Sequence, residues 1–515
     1  MTDSLLTVDG DLLKELGDDL FIKPQKKNKI LFLSDHPLAP SGVGVQARFL
    51  IEGLIKSGRY SFFCLGGAIK HQDYRTVKVN DDFIVKPVDG FGTHQMIREY
   101  LLLEKPDGII MFTDPRQFIW LWEIEEEVHQ VCPIAYWHVW DNDPYPAFNK
   151  TWYDSTDLIN CLSYKTYELI KPHYPEKTNY IPHAFPKNIY FELPEQDKAN
   201  LMVQNFGPKA NWFKALWVNR NATRKLPADV MDGWKLFLDK LYEKHGHKNA
   251  VLIMHTDVDD PEGPNLLACA EMMGLQEHVW FSTEKIGFDR MNIIHNLVDT
   301  VINVSKNEGF GLSTLASMQV GKPIITLKTG GETRQVIDWR DGTEHGVGLE
   351  PIKRCLVGSQ MVPYIYEDYA GTDELAVACL KIYDLTDDEK KTLAQKCKDY
   401  VDFEFSFGDM VTKWDVTLSE CIDKFKTNGY ESWDVIAVDS VKFGLENANP
   451  ISLERNPEKL AKTNQTHMDG ELKKTQNFIR NENKKAEVSV LEATAEPGTK
   501  KKVSKKTPDK KRTTK

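Results

Sequence analysis

Short apolar runs that alternate with amphipathic helical stretches constrain the fold of this 515-residue chain more than any other feature of its sequence. Six runs with the length of buried strands come first, at residues 29–34, 61–65, 108–112, 133–138, 158–162 and 180–182. Strands that alternate with helices form parallel sheets through right-handed crossovers, with helices on both faces. The pattern therefore predicts an α/β fold with a doubly wound sheet.

The same alternation restarts after a polar stretch and predicts a second domain, because the chain is too long for one hydrophobic core. The five later runs lie at residues 215–218, 250–254, 279–281, 300–304 and 323–327. We predict an extension at 1–28, a Rossmann-like domain at 29–190, a linker at 191–212, a second Rossmann-like domain at 213–396, a helix at 397–426 and a tail at 427–515. Ligands of such domains bind at the carboxyl ends of the strands, so the two domains should face a central cleft.

The end of the chain differs from the rest in composition and charge. Its last segment of about 60 residues is rich in Lys, Asn, Glu and Thr and has little apolar surface to bury, so we predict a disordered tail. Residues 500–515 hold nine Lys or Arg and one Asp, a local charge of +8, whereas the whole chain carries −11. The acidic body argues against nucleic-acid binding. The basic end suits peripheral contact with an anionic membrane or another polyanion.

The signals that bear on the compartment indicate the cytoplasm. No run of about 18 apolar residues could span a membrane, and the N-terminus carries acidic residues where a signal peptide needs a basic start. The eight cysteines are scattered singly, without the Cys-x-x-Cys spacing of zinc or redox sites. Such a distribution is typical of buried thiols in a reducing compartment.

The sharpest local motif is a glycine-containing loop between a predicted strand and a predicted helix. It follows the run at 300–304 and consists of Glu308, Gly309, Phe310, Gly311 and Leu312. Glycines let the backbone approach a ligand closely, and free amides at a helix start present positive partial charge to phosphate or sugar oxygens. A plain turn with a surface glutamate is the structural alternative, and spacing alone does not separate the two.

Two further loops follow predicted strands in the same way. Arg220, Arg224 and Lys225 come after the run at 215–218, and their charges could neutralise a diphosphate, although a solvated basic loop would have the same composition. The first run is followed by Ser41-Gly42-Val43-Gly44, a loop that either offers amides to a ligand or only forms a turn.

Taken together, these motifs resemble the retaining glycosyltransferases of family 4, which have the GT-B fold. The C-terminal donor motif of that family is similar to residues 308–312 and their continuation, which runs through Leu315, Met318, Gly321-Lys322-Pro323-Ile324-Ile325 and Gly330-Gly331. Counterparts of other parts follow in the family's order: the glycine loop, the strand-end His138, Ile181-Pro182-His183, Arg220 with Lys225, and a helix around Trp414. The resemblance covers residues 29–426 and implies that the helix at 397–426 returns to the N-terminal domain.

By this resemblance, four residues carry the chemistry. Arg220 and Lys225 would hold the diphosphate of a nucleotide-sugar donor and stabilise the leaving group, and Glu308 would hold the donor sugar. His138 would face the reacting sugar, unless it is a core histidine at a strand end. The residues expected to approach the donor through their backbones are Gly42, Gly44, Gly309, Phe310, Gly311 and Leu312.

One position departs from the family pattern. The family usually carries a second glutamate eight residues after the first, which binds the ribose hydroxyls, and this chain has Ala316 there. Ser317 or Gln319 could take over that contact, donor binding could be weaker or different, or the chain could have lost activity. These alternatives stay open at the level of sequence.

Two Asp-x-Asp pairs resemble the metal site of the other large glycosyltransferase fold. The pairs at 257–259 and 141–143 are no more frequent than chance predicts for a chain with this many aspartates. Arg220, Lys225 and a helix terminus already supply positive charge where a metal would act. We therefore expect no metal, and no cofactor besides the nucleotide diphosphate sugar that serves as donor.

The expected function follows from the resemblance. The chain should be a metal-independent, retaining, hexosyltransferase-like enzyme that moves a sugar from a nucleotide diphosphate sugar to a hydroxyl of a glycan, a lipid or a protein-linked acceptor. The leaving diphosphate would act as the base. Two alternatives remain: an isomerase or phosphorylase-like enzyme on the same fold, and a catalytically inactive sugar-binding or scaffold protein, which Ala316 would favour.

Overall fold

The computed structural model describes residues 26–429, and the first of its two large sheets is built from the N-terminal half of the chain. Its strands are β1 (Asn28–Asp35), β2 (Tyr60–Gly67), β3 (Val77–Asn80), β4 (Phe83–Pro87), β5 (Gly108–Thr113), β6 (Ile134–His138), β7 (Leu158–Cys161) and β8 (Thr178–Tyr180). Their order across the sheet is β3-β4-β2-β1-β5-β6-β7-β8, and only β3 runs antiparallel to its neighbour. The central strand β1 therefore has β2 on one side and β5 on the other.

The second sheet is wholly parallel and follows the same plan. Its strands are β9 (Phe213–Val218), β10 (Ala250–His255), β11 (Val279–Ser282), β12 (Thr300–Asn303), β13 (Ile324–Leu327) and β14 (Gly346–Leu349), and a small hairpin adds β15 (Lys353–Val357) and β16 (Ile365–Tyr369). The order of the sheet is β11-β10-β9-β12-β13-β14. The strand order reverses beside β9, which has β10 on one side and β12 on the other. Ligands of open α/β sheets bind at the carboxyl ends of the strands at such a reversal.

Helices connect the strands and cover both sheets. Those of the N-terminal half are α1 (Gly42–Lys56), α2 (His94–Leu103), α3 (Ile119–Trp122), α4 (Glu125–Val128), α5 (Lys150–Asp154) and α6 (Tyr164–Ile170). Those that follow are α7 (Glu195–Phe206), α8 (Pro227–His245), α9 (Leu266–Met273), α10 (Phe288–Leu297), α11 (Leu312–Gln319), α12 (Thr333–Val336), α13 (Thr372–Tyr383), α14 (Asp387–Glu404) and α15 (Phe407–Asn428). Short 3₁₀ helices lie at Pro115–Phe118, Ala147–Asn149, Gly207–Lys209, Thr223–Lys225 and Gly330–Glu332.

The last helix packs against the first sheet. Trp414 of α15 is fully buried, and its ring meets Trp137 of β6 edge to face, with 5.3 Å between the ring centroids. A Cβ atom on Gly53 of α1 would lie 2.5 Å from Val411 of α15, so the glycine permits the two helices to approach this closely. The end of the described chain thus contributes to the core of its beginning.

The predicted α/β class with two helix-covered sheets is confirmed, and the sheets are parallel except for the edge strand β3. Five strands were not expected, namely β3, β4, β14, β15 and β16, and several of them lie at edges or outside the sheets, where side chains face water and the apolar signal is weak. The run at 180–182 meets the observed strand β8 only at Tyr180. Almost all of the predicted extension at 1–28 and tail at 427–515, with its basic end, lies outside the described residues. Within residues 26–429, no helix combines the length and the apolar character needed to cross a membrane.

Candidate active site

The loop after β12 carries Glu308 into a cluster of charged side chains. The Oε2 atom of Glu308 accepts a hydrogen bond from Lys225 Nζ and weaker ones from Asn303 Nδ2 and Ser305 Oγ, both at 3.4 Å. Burial alone would raise the pKa of Glu308, but the charges of Lys225 and Arg224 outweigh it and lower the pKa to about 2. Glu308 is therefore an ionised hydrogen-bond acceptor at any physiological pH.

The basic loop after β9 divides its cations between two places. Lys225 is buried and paired with Glu308, and Arg224 donates to the carbonyl of Asn307 at 3.4 Å. Arg220 instead binds Asp260 through two hydrogen bonds of 2.7 and 3.1 Å and leaves 57% of its side chain exposed. The structure thus brings Lys225 and Arg224 to Glu308 and holds Arg220 at Asp260, so the role assigned to Arg220 stays a prediction.

The backbone beside Lys225 is held in an uncommon conformation. Leu226 has a φ of +52° and is buried, and it precedes Pro227, the first residue of α8. A branched residue with left-handed φ costs of order 1–3 kcal/mol, and such residues concentrate at functional sites. The turn aims Lys225 at the loop after β12.

A second carboxyl, Glu332, lies behind Glu308. It is fully buried, and its Oε1 atom accepts from Asn303 Nδ2 at 2.7 Å and from Thr314 Oγ1 at 3.3 Å. Its Oε2 atom has no hydrogen-bond partner among the described residues. Burial and the nearby charge of Glu308 raise the pKa of Glu332 well above its ordinary value.

Two glycines let the turn that carries Glu332 lie against the Glu308 loop. The N–H of Gly331 donates to the carbonyl of Glu308 at 2.8 Å. A Cβ atom on Gly331 would lie 2.5 Å from the Gly309 oxygen, and Gly330 has a φ of +50°. Only glycine accepts both demands without strain.

Asp141 approaches the same cluster from the first sheet, three residues beyond the end of β6. Its Cβ would lie 3.3 Å from a Cβ atom placed on Gly330. Burial raises the pKa of Asp141 to about 6, with Arg224 and Lys225 opposing the shift and Glu308 reinforcing it. The two sheets therefore contribute to one charged centre.

The glycine loop of the first sheet also reaches the motif. Ser41 caps α1 by accepting from the amide of Gly44 at 3.0 Å, and a Cβ atom on Gly42 would lie 3.0 Å from Leu312 Cδ1. A Cβ atom on Gly44 would collide with the carbonyl oxygen of His36 at 2.6 Å. Gly42 thus stands opposite the start of α11, whereas Gly44 serves the packing of its own loop.

The glycine-containing loop at residues 308–312 opens α11, as the sequence predicts. Gly311 adopts a φ of +91° and precedes Leu312, the first residue of the helix. The amides of a first helical turn have no partner within the helix and point toward the loop. Phe310 is buried and meets His183 with 5.1 Å between ring centroids, so this residue anchors the loop in the core. Of the two flanking glycines, Gly309 is partly exposed and Gly311 is buried.

His138 lies in the interior of the first domain. The side chain is fully buried, and its Nε2 atom is 2.8 Å from the hydroxyl of Tyr153. Burial lowers the pKa of His138 to about 3, which keeps the imidazole neutral. This placement is the one expected of a core histidine at a strand end, and contact with a sugar stays a prediction.

Ala316 is buried among apolar side chains of α11, at 1% exposure. The two candidate substitutes also face inward: Ser317 Oγ is buried without a partner among the described residues, and Gln319 Nε2 donates to the carbonyl of Pro186 at 3.4 Å. This point of the helix therefore carries no carboxylate.

Sequence reasoning passed over Asp141 and Glu332. Asp141 belongs to an Asp-x-Asp pair that chance explains, and its position just after a strand was the available signal. Glu332 directly follows the two glycines that continue the donor motif. Within residues 26–429, no group of three or more His, Cys, Asp or Glu is arranged to hold a metal ion.

No protein-family model matches this chain. A trehalose synthase from Rubrobacter xylanophilus is 27% identical over 154 residues, which make up 29% of this chain and 35% of that protein. The chain thus matches about a third of the length of this curated relative.

Solved structures share the two-sheet architecture over most of the chain. Sucrose-phosphate synthase from Thermosynechococcus elongatus has a TM-score of 0.59 at 13% identity and covers 77% of this chain and 100% of its own. HepE from Anabaena in complex with UDP-glucose has a TM-score of 0.56 at 16% identity, covering 76% and 100%. The catalytic domain of starch synthase IV from Arabidopsis thaliana, bound to ADP and acarbose, reaches 0.54 at 12% identity, covering 77% and 100%. These neighbours confirm the GT-B fold.

Proposed function

We propose that this protein is a glycosyltransferase whose donor is a nucleotide diphosphate sugar. The observation that carries the proposal is the buried pair of Lys225 and Glu308, which lies beyond the carboxyl ends of β9 and β12. That position is the ligand-binding edge of a doubly wound sheet. Two neighbours of the same fold were solved with UDP-glucose or ADP, which supports a nucleotide sugar as the ligand.

The cations of the β9 loop stabilise the leaving group. Lys225 and Arg224 lie where they can share their charge between Glu308 and a diphosphate, and Arg220 can join them by leaving Asp260 and Glu262. The first amides of α11 add partial positive charge. Groups of this kind act most strongly in the transition state, when negative charge develops on the departing diphosphate.

Glu308 holds the donor sugar. Because its pKa is lowered to about 2, the carboxylate only accepts hydrogen bonds, and sugar hydroxyls are suitable donors. The same carboxylate keeps Lys225 in position before the donor arrives. The raised pKa of Glu332, which lies behind it, disfavours a second negative charge in the site.

The transfer retains the configuration of the anomeric carbon and needs neither a metal ion nor a cofactor. The bond from that carbon to the diphosphate oxygen breaks while the acceptor oxygen bonds to the same face. The proton of the acceptor hydroxyl moves to the departing diphosphate. Closure of the cleft excludes water and protects the donor from hydrolysis.

A donor panel tests the proposal. The full chain is incubated with UDP-, ADP- and GDP-hexoses and a mixture of acceptors in EDTA, with nucleotide release and product mass as readouts. We expect release from at least one donor, and NMR of the product should show the donor's anomeric configuration. Absence of both turnover and nucleotide binding would contradict the proposal, and activity that returns only with a divalent cation would contradict its metal-independent part.

A second candidate function is sugar or nucleotide binding without transfer. The observation that favours it is Ala316, which leaves the helix without the carboxylate expected there. A ligand that binds the folded state raises the melting temperature whether or not it reacts. Stabilisation by a nucleotide diphosphate without release from any donor would support this second function.

A further inference from the structure

A cavity of about 310 Å³ opens beside Asp141, between the two sheets. A second cavity, of about 670 Å³, continues from it toward α15. Tyr164, Arg334 and Trp339 line both cavities, so they form one groove, which we call the side groove. Both volumes fall within the range of small-molecule sites in proteins. The inner end of the groove touches Asp141 and Gly330, which belong to the charged centre described above.

The wall shared by the two cavities is an aromatic platform of three stacked side chains. The guanidinium carbon of Arg334 lies 4.0 Å from the ring centroid of Tyr164 and 4.5 Å from that of Trp339. Glu404 holds the platform in place, because it accepts from Arg334 Nε, Trp339 Nε1 and Tyr180 Oη at 2.9 to 3.0 Å. Trp339 is nevertheless 51% exposed. A tryptophan that is fixed in orientation and open to solvent is suited to receive a ligand.

The charges around the inner cavity are balanced. Its lining includes four acids and four bases: Asp141, Asp143, Glu168, Asp368, Lys165, Lys328, Arg334 and Arg354. Each of these bases already has a carboxylate partner. An anionic ligand such as a sugar phosphate would have to displace one of these partners. A neutral ligand with many hydroxyls can instead hydrogen-bond to both members of each pair.

We propose that the side groove binds the acceptor, and that the acceptor is a neutral carbohydrate of at least two sugar units. The proposal rests on the transferase function proposed above. The C–H faces of sugar rings carry partial positive charge and pack on the negative face of an aromatic ring. Because Arg334 covers one face of Trp339 and one face of Tyr164, the sugar would use the faces turned away from Arg334. The first unit lies in the inner cavity, with its hydroxyl toward Asp141 and the donor site. Further units extend past Trp339 into the outer cavity.

The two rings of the platform come from different halves of the cleft. Tyr164 begins α6 and belongs to the first sheet, whereas Arg334 and Trp339 follow β13 of the second sheet. A ligand on the platform therefore contacts both halves of the cleft. The acceptor would favour the arrangement that brings the two halves together.

The test compares Trp339→Ala and Tyr164→Ala with Tyr242→Ala, a control on α8 whose side chain is 58% exposed. Neutral gluco-, manno-, galacto- and N-acetylgluco-oligosaccharides of one to five units serve as acceptors. For the best chain of three or more units, each groove variant should lower kcat/KM by about tenfold, a typical effect of losing one aromatic contact. The donor KM and the acceptor-free hydrolysis of the donor should not change. Trp339→Phe should restore most of the loss, because it retains an aromatic face.

Calorimetry separates this proposal from the transferase function. Binding of the same oligosaccharides without donor should be measurable, and it should weaken in Trp339→Ala but not in Tyr242→Ala. If the wild-type chain turns over a donor while both groove variants match the control with every acceptor, the groove assignment is wrong and the transferase proposal stands. Productive transfer only to sugar phosphates, lipids or proteins also overturns it. If no donor is used, calorimetry alone decides the groove, and failure to bind any oligosaccharide contradicts it.

Discussion

Lys225 connects the two loops on which the proposed chemistry depends. It lies after β9, its partner Glu308 lies after β12, and these two strands are neighbours at the reversal of the second sheet. The pair is buried, so each charge relies on the other. Removing the lysine alone leaves a buried carboxylate without its main partner, so a Lys225 variant is expected to lose some stability as well as activity.

We predict that Lys225→Met lowers kcat by about 10² to 10³ because one stabilising charge on the leaving diphosphate is lost. Lys225→Arg should recover part of the activity. Lys244→Met is the matched control, since Lys244 forms an ion pair with Asp384 at the surface of α8. Steady-state kinetics, with melting temperatures to verify folding, checks the prediction. Equal activity of the Lys225 and Lys244 variants would remove Lys225 from the mechanism.

Asp141 should make donor binding depend on pH. The groups around it are Arg224, Glu308, Lys225 and Asp114, and burial raises its pKa to about 6. Above pH 6 the ionised carboxylate repels an incoming diphosphate, and below pH 6 it is neutral. We predict that the Kd of the donor falls by up to about tenfold between pH 7.5 and pH 5. Titration calorimetry should find this dependence absent in Asp141→Asn; the same slope in both proteins would contradict the assignment.

At the scale of elements, the site forms where loops of different strands support one another. The turn at Gly330–Glu332 rests on the Glu308 loop, and Asn303 at the end of β12 donates to both Glu308 and Glu332. A change in one loop should therefore move the others. The first sheet contains a comparable junction away from the cleft, at His129.

His129 joins α4 to the start of β7. Its Nδ1 atom lies 2.7 Å from Glu125 Oε2, and its Nε2 atom lies 2.8 Å from Asp157 Oδ2. Burial would lower the pKa of His129, but the hydrogen bonds to Asp157 and Glu125 outweigh it and raise the pKa to about 9. The folded state therefore binds this proton more tightly than the unfolded state does.

The resulting stability is fully present below pH 6.5 and is lost as the pH rises through 9. We predict a loss of about 3 kcal/mol in unfolding free energy across this window. The unfolding free energy of His129→Gln should depend less on pH than that of His245→Gln. The latter is a control in which a surface histidine paired with Asp384 is replaced. Urea unfolding at pH 6, 7.5 and 9 checks this. Parallel curves for the two variants would show that His129 does not carry the effect.

At the scale of the whole molecule, the last described helix packs against the sheet formed by the first part of the chain. Helix α15 lies at the end of the described residues and packs on the first sheet, where Trp414 and Leu418 are buried. Burying a side chain of this size contributes several kcal/mol, and its loss costs about 3–5 kcal/mol. The position at which the chain is cut should therefore matter greatly on one side of α15 and little on the other.

We predict that a chain ending at residue 429 keeps the melting temperature and the donor affinity of the full chain, because both sheets and the whole candidate site lie before that point. A chain ending at residue 404 lacks α15, exposes the surface that Trp414 covers, and should melt at least about 10 °C lower or fail to fold. Differential scanning calorimetry of the three chains checks this. A full loss of stability on cutting at 429 would mean that later residues belong to the core.

The amino-acid sequence by itself determined the class of fold and the positions of most strands, and it singled out the loops after β9 and β12 as candidates for the site. Apolar periodicity is a local property, and the geometry of strands and helices converts it directly into buried faces. The glycines at 311, 330 and 331 could also be recognised in the sequence, and each meets a local requirement of the backbone for a positive φ or a close approach. Edge strands such as β3 were not predicted because their side chains are exposed and give no apolar periodicity.

Only the tertiary structure decided which charged groups meet. It placed Arg224 at Glu308 and Arg220 at Asp260, although the two arginines are four residues apart in the same loop. It added Asp141 from the other sheet and enclosed His138 in the core. These outcomes depend on how loops from strands far apart in the chain converge, and on how each side chain is turned there. Such convergence arises from long-range packing, which leaves no mark in the local order of residues.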